Sequence, residues 1–363
     1  MNFTRRTAGA AALATAFMPS LLSARERGGA AVLGKAAVTP MALLDPELRD
    51  GAKLILAQPL PDPLDHAAIV AMRKAAPPPP EILSAPAPAV DFRMIPGSHG
   101  HPPVKVAVIG ADRKKELRPA VLHVHGGGFI VGRMADTIPA SQQLAQEFDC
   151  VVVEVDYRLS PETRFPGPLE DCHAALAWLH ENADDLGVDR AKIAVKGESA
   201  GGGLAAMVAL AARDRRSVPL CCQILIYPML DDRTGSTRRV PNFIGTIGWN
   251  ETGNVVGWSS LLGQPAGQIK VPTGAVPARM PNLEGLPRTF IGVGSLDLFV
   301  EEDMIYAQRL VQAGVPTELL VTPGAFHGFD FVVPDANVSR AFTAAWKRTL
   351  RTAFARPAAN HSL

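Results

Sequence analysis

From residue 90 to residue 354 the chain alternates short apolar runs with longer stretches of helical periodicity, and few architectures accept that alternation. Strands are expected near 90–95, 104–109, 120–124, 151–155, 193–195, 222–227, 289–293 and 318–321. Helices are expected near 141–148, 169–182, 202–213, 302–313 and 338–354. Such alternation argues an α/β protein with a mostly parallel, eight-stranded sheet covered by helices on both faces.

The most informative strand end is Gly197-Glu198-Ser199-Ala200-Gly201, directly after Ile193-Ala194-Val195. This G-x-S-x-G spacing describes a strand that turns sharply into a helix, a turn so crowded that its flanking positions must be small. The turn lifts the Ser199 hydroxyl above the sheet and turns the N–H of Ala200 toward the same point as an anion donor. By itself the pentapeptide also fits a plain glycine-rich connection.

Three further features weigh against the plain reading. His125-Gly126-Gly127-Gly128-Phe129 follows the apolar run 120–124, and its successive glycines let backbone N–H groups approach a ligand closely. A hydrolase would use them as oxyanion donors; the G-x-x-x-x-G-K-[ST] spacing of a phosphate loop is absent. Asp297 follows the run 289–293, and His327 follows 318–321. Both fall at the C-terminal ends of strands, where open α/β sheets place their sites. A serine, an aspartate and a histidine then succeed one another along the chain in the order used by one large hydrolase fold.

With these motifs the chain resembles the hormone-sensitive-lipase-like group of α/β-hydrolases, bacterial esterases with an HGGG motif. The resemblance spans roughly residues 40–355. It also rests on Asp156-Tyr157-Arg158-Leu159-Ser160-Pro161-Glu162, on Phe165-Pro166 and on Phe326-His327-Gly328-Phe329. It implies a serine carboxylic-ester hydrolase acting on small or medium acyl esters, with Ser199 as nucleophile, His327 as base and Asp297 as the group that orients it. The N–H groups of Gly127, Gly128 and Ala200 would form the oxyanion hole. No metal or organic cofactor is needed for such chemistry.

One departure stands beside the nucleophile: the family usually carries Asp where this chain has Glu198, which puts the tuning of the site in question and leaves the reaction intact. Ser160 stands where Ala is more usual. Glu301, Glu302 and Asp303 read as charge at the start of a helix, and Asp231 and Asp232 rank second to Asp297 as partners for the histidine. His123 reads as a satisfied core histidine and His125 as a brace for the glycine loop. Tyr157, Arg158 and Glu162 read as a buried turn held by polar contacts.

Residues 86–230 and 284–355 form the expected hydrolase core. Residues 40–85, helical but broken by prolines, and residues 231–283, rich in Gly, Thr and Pro, are the two expected cap segments. Phe129, Trp249 and Trp258 are candidates for the substrate pocket; the cap aromatics fit equally a role in packing the cap onto the core.

The balance of 36 basic and 35 acidic residues gives no basis for nucleic-acid or anionic-membrane binding. The expected partner is a small-molecule ester, with no stable membrane span and with a homodimer as an open alternative to a monomer. Cys150, Cys172, Cys221 and Cys222 show no metal-ligand spacing and read as buried free thiols. Met1-Asn2-Phe3-Thr4-Arg5-Arg6-Thr7 ahead of a mildly apolar stretch resembles a twin-arginine export signal over residues 1–24, which implies a periplasmic or secreted enzyme. A cytoplasmic enzyme with an Ala-rich N-terminus is the alternative. The same catalytic machinery also serves deacetylases and lactone, carbamate or amide hydrolases, and the fold can serve a non-catalytic receptor.

Overall fold

A computed structural model describes residues 39–98, 100–113 and 116–355. The expected export signal therefore lies outside the described residues. The strands are β1 (Val90–Ile95), β2 (Val104–Ile109), β3 (Arg118–Val124), β4 (Val151–Asp156), β5 (Val188–Glu198), β6 (Cys222–Ile226), β7 (Arg288–Gly294) and β8 (Thr317–Thr322). They form one eight-stranded sheet in the order β1-β2-β4-β3-β5-β6-β7-β8. Strand β2 runs antiparallel to both β1 and β4, and every other pair is parallel.

The helices are α1 (Pro40–Leu43), α2 (Arg49–Leu56), α3 (His66–Ala75), α4 (Met134–Phe148), α5 (Gly167–Glu181), α6 (Ala183–Leu186), α7 (Ala200–Arg215), α8 (Glu251–Leu262), α9 (Val300–Gln312), α10 (Phe329–Val332) and α11 (Asn337–Ala355). Side chains alternate across the sheet. Leu122, Val124, Ile193 and Val195 face α5 and α7, whereas Val121, Val152, Ala194 and Ile224 face α4 and α11. The central strands are buried on both sides, which is why they read as continuous apolar runs. At the β1 edge the pattern loosens, and Phe92 and Met94 are exposed.

Two boundaries differ from expectation for local reasons. Strand β5 starts at Val188 because its polar first half still pairs with β3, through a register shift between Arg118 and Ala120. Helix α4 begins at Met134, seven residues before the expected 141–148, and carries Pro139 inside it, which costs one backbone hydrogen bond without ending the helix. Between residues 231 and 283 the chain holds α8, capped by Asn250 Oδ1, which accepts from Gly253 N at 2.8 Å, and closed by Gly263 in the left-handed region. All four cysteines are free, three of them buried and Cys221 half-buried. No helix among the described residues is long and apolar enough to cross a membrane.

Candidate active site

Ser199 lies between β5 and α7 with φ 56° and ψ −122°, a conformation an L-residue holds only when its surroundings impose it. Here they do. A Cβ on Gly197 would lie 2.2 Å from the Gly201 carbonyl oxygen, and one on Gly201 only 2.1 Å from that of Val124. The Ser199 N–H donates to Ile226 O at 2.9 Å, and its carbonyl accepts from Gly203 N and Met229 N, both at 3.0 Å. The turn is thus wedged between β3, α7 and the end of β6.

The loops after β7 and β8 bring two more groups to the same strand ends. His327 Nε2 lies 3.0 Å from Ser199 Oγ, and its Nδ1 lies 2.8 Å from Asp297 Oδ2. Asp297 is fully buried, and its second oxygen accepts from Phe299 N at 2.9 Å. An aspartate so fixed accepts a hydrogen bond from the Nδ1–H of His327 and leaves Nε2 free to accept a proton from the serine. Phe299 and Tyr227 meet the imidazole edge to face, with centroids 5.2 and 4.8 Å away, which fixes the ring plane.

Above Ser199 runs the glycine loop. A Cβ on Gly126 would sit 3.4 Å from Ser199 Cβ, and Gly127 and Gly128 have φ of 123° and 59°, open only to glycine at this crowding. The N–H groups of Gly127, Gly128 and Ala200 donate to no acceptor among the described residues. His125 braces the loop: its ring stacks on Tyr157 at 4.3 Å, and the Tyr157 hydroxyl donates to His125 O at 2.9 Å. Arg73, which the sequence did not single out, ties α3 to this loop by donating to Ile130 O at 2.7 Å and Ser160 O at 2.5 Å. A hydroxyl, an imidazole, a buried carboxylate and a set of free N–H donors thus converge on one point.

The comparisons with known proteins agree with this geometry. A family model described as alpha/beta hydrolase fold matches residues 121–331. The chain belongs to the α/β-hydrolase fold family. The chain is 34% identical over 275 residues to carboxylesterase NlhH of Mycobacterium tuberculosis, covering 71% of this chain and 81% of that protein. It is 34% identical over 218 residues to an ethyl acetate hydrolase of Pseudomonas putida, covering 58% of this chain and 65% of the other. The solved structure of a bacterial heroin esterase superposes with a TM-score of 0.76 at 36% identity, covering 88% of this chain and all of that one. Within the α/β-hydrolases the resemblance is to hormone-sensitive-lipase-like carboxylesterases, and the protein is a carboxylic ester hydrolase.

The remaining acids of this α/β-hydrolase lie apart from the histidine. Asp231 pairs with Arg233 at 2.7 Å, and Asp232 accepts from Arg279 at 2.9 Å. Glu301, Glu302 and Asp303 stand in the first turn of α9 as expected, but Glu302 and Asp303 are buried there and not solvated. Glu302 accepts from Leu230 N at 2.7 Å and from Asp231 N at 3.1 Å, and burial, with Asp231 nearby, pushes its carboxyl up to about 8. Arg158 is paired with Asp171 at 2.7 Å and Glu162 with Arg73 at 2.8 Å, the polar turn expected of that segment.

The three candidate pocket aromatics are placed differently. Phe129 and Trp258 are fully buried and meet edge to face at 5.1 Å, so they pack the core away from solvent. Trp249 stands at the site: a Cβ on Gly128 would lie 2.3 Å from its ring, and one on the preceding Gly248 would lie 2.6 Å from His327 O. Gly248 and Trp249 thus reach from the histidine loop to the glycine loop.

Proposed function

We propose that this enzyme hydrolyses esters of small or medium acyl groups through an acyl-enzyme on Ser199. The observation that carries the reading is the unbroken line from Ser199 Oγ through His327 to the buried Asp297, with contacts of 3.0 and 2.8 Å. His327 Nε2 takes the hydroxyl proton as Ser199 Oγ attacks the carbonyl carbon, and the carbonyl electrons move onto oxygen. The N–H groups of Gly127, Gly128 and Ala200 meet that charge in a site from which water is largely excluded. Collapse expels the alcohol, which leaves with the proton from His327. Water then enters and gives a proton to the same nitrogen as its oxygen attacks the acyl carbon; the bond from that carbon to Ser199 Oγ breaks, His327 returns the proton to Oγ, and the acid is released.

The size preference is supported by Trp249 against Gly128 and by the 7% exposure of Ser199. The likeness to an ethyl acetate hydrolase points the same way. Residues 40–85 and 231–283 act as the cap in this reading, since α3 and Trp249 both touch the glycine loop.

The test is hydrolysis of p-nitrophenyl acetate, butyrate and decanoate by wild type and Ser199→Ala, with matching anilides as amide substrates. The expectation is turnover of the two shorter esters well above decanoate and anilides, and a loss of at least about 10³-fold in Ser199→Ala. Activity that survives the substitution would overturn the assignment of the nucleophile.

A further inference from the structure

Behind the nucleophile, on the face of the sheet covered by α4 and α11, four ionisable side chains stand in a row. Strands β4, β3 and β5 are neighbours, and in their register His123 lies opposite both Glu154 and Lys196. Glu198 follows two residues later on β5 and points to the same face. His123 Nδ1 lies 2.8 Å from Glu154 Oε1, and its Nε2 lies 2.8 Å from Glu198 Oε2. Lys196 bonds Glu198 and lies 3.4 Å from His123 Nε2. From α4, Thr137 donates to Glu154 at 3.0 Å and Ser141 donates to its other oxygen. From α11, the Trp346 ring lies under the Lys196 ammonium at 5.1 Å. Beyond β6, the Tyr227 hydroxyl donates to Asp330 at 3.0 Å, closing the far side.

The positions of these residues in the chain give the row its meaning. His123 is two residues before His125, which opens the glycine loop, and Glu198 is one residue before Ser199. The bond between them therefore joins the strand that carries the oxyanion donors to the strand that carries the nucleophile. Catalysis requires those two parts to hold their spacing to within roughly 0.5 Å. A set of two carboxylates, an imidazolium and an ammonium, buried except for a partly exposed Glu198, is a poor way to gain stability, because apolar side chains of the same volume do as well. It is a good way to fix a spacing, because charged hydrogen bonds are short and directional.

We propose that Glu198, through His123, is a positioning residue that sets the register between Ser199 and the oxyanion loop. The proposal rests on the reading of Ser199 as the nucleophile. Burial disfavours the charged ring of His123, but the Glu154 and Glu198 carboxylates outweigh it and raise its pKa to about 9. In turn, His123 and Lys196 hold the Glu198 carboxyl well below its usual range against the effect of burial. Raising the pH past 9 removes one of the two ring protons, so His123 can no longer donate to Glu154 and Glu198 together.

The test compares wild type with Glu198→Gln, His123→Gln and the double variant, each checked for folding by circular dichroism. The readouts are kcat and KM for p-nitrophenyl butyrate over pH 6–10, and affinity for a trifluoromethyl ketone that forms a tetrahedral adduct. Glu198→Gln is expected to lower kcat by about 10- to 100-fold with KM within about twofold, and to weaken the adduct by a similar factor. The double variant should be no worse than the weaker single one. The alkaline limb, near pH 9 in the wild type, should move to lower pH in Glu198→Gln, where one of the two carboxylates holding the proton is gone. If Glu198→Gln does not fold, Glu198→Asp, one methylene too short to reach His123, is expected to lose kcat by at least about threefold with KM held. A folded variant with wild-type kcat, or one that loses stability while keeping its affinity for the ketone, overturns the proposal. Ser199→Ala run alongside keeps the two readings separate: if it stays active the nucleophile is wrong, and if it is inactive while Glu198→Gln is fully active only the positioning role fails.

Discussion

Gly201→Ala puts the geometry of the turn to a direct test. The added methyl carbon would start 2.1 Å from Val124 O and 2.4 Å from His125 O, both backbone atoms of the strand and loop that carry the oxyanion donors. Reaching an ordinary contact of 3.4 Å requires the two backbones to part by about 1.3 Å. No side chain can swing aside to relieve the clash, so the elbow and the glycine loop must separate. Displacement of catalytic donors by about 1 Å costs on the order of 10²-fold in rate, and overpacking of this kind costs about 1–3 kcal/mol of stability. The assay is kcat/KM for p-nitrophenyl butyrate together with urea unfolding. Gly314→Ala is the control for a stability loss without crowding: its φ of 75° is unfavourable for alanine, whereas Gly201 is helical, and nothing lies within 4 Å of the added methyl. It should lose about 1 kcal/mol of stability and none of its activity. Wild-type kcat/KM in folded Gly201→Ala, or equal activity losses in both variants, would refute the wedged-elbow argument.

Asp297→Asn should lower kcat by about 10⁴-fold with little change in KM, because the amide no longer holds His327 in the tautomer that accepts the serine proton; a loss under tenfold would place the orienting role elsewhere. Stability should also depend on His123. Its folded pKa, about 9, exceeds the ordinary 6.5, so its contribution is fully present below pH 6.5 and disappears as the pH rises through 9. Between pH 7 and 9 the wild type should therefore lose roughly 2 kcal/mol more than His123→Gln in urea unfolding under reducing conditions. Equal losses would mean that His123 is neutral in the fold.

The elements legible in the sequence were those whose signal is local. The central strands announced themselves as apolar runs because helices cover both their faces. Ser199, Asp297 and His327 were legible because each sits just past a strand end within a short motif. Helix α8 was missed although Asn250 and Gly263 supply its cap signals, because the glycines and serines between them dilute the apolar period. Other features depend on partners far along the chain. Glu198 meets His123 across 75 residues, Arg73 meets Ser160 across 87, and Glu302 meets Leu230 across 72. No spacing rule joins such residues; only the strand register and the packing of the helices bring them together.

The central claim is that Ser199 becomes covalently acylated, and a p-nitrophenyl alkylphosphonate tests it most directly because its serine adduct does not turn over. Mixed with the full chain, the reagent should release one p-nitrophenol per chain, abolish esterase activity and leave a single phosphonyl mass on the peptide that contains Ser199. An adduct on another residue, or activity that persists after one equivalent has reacted, would contradict the account.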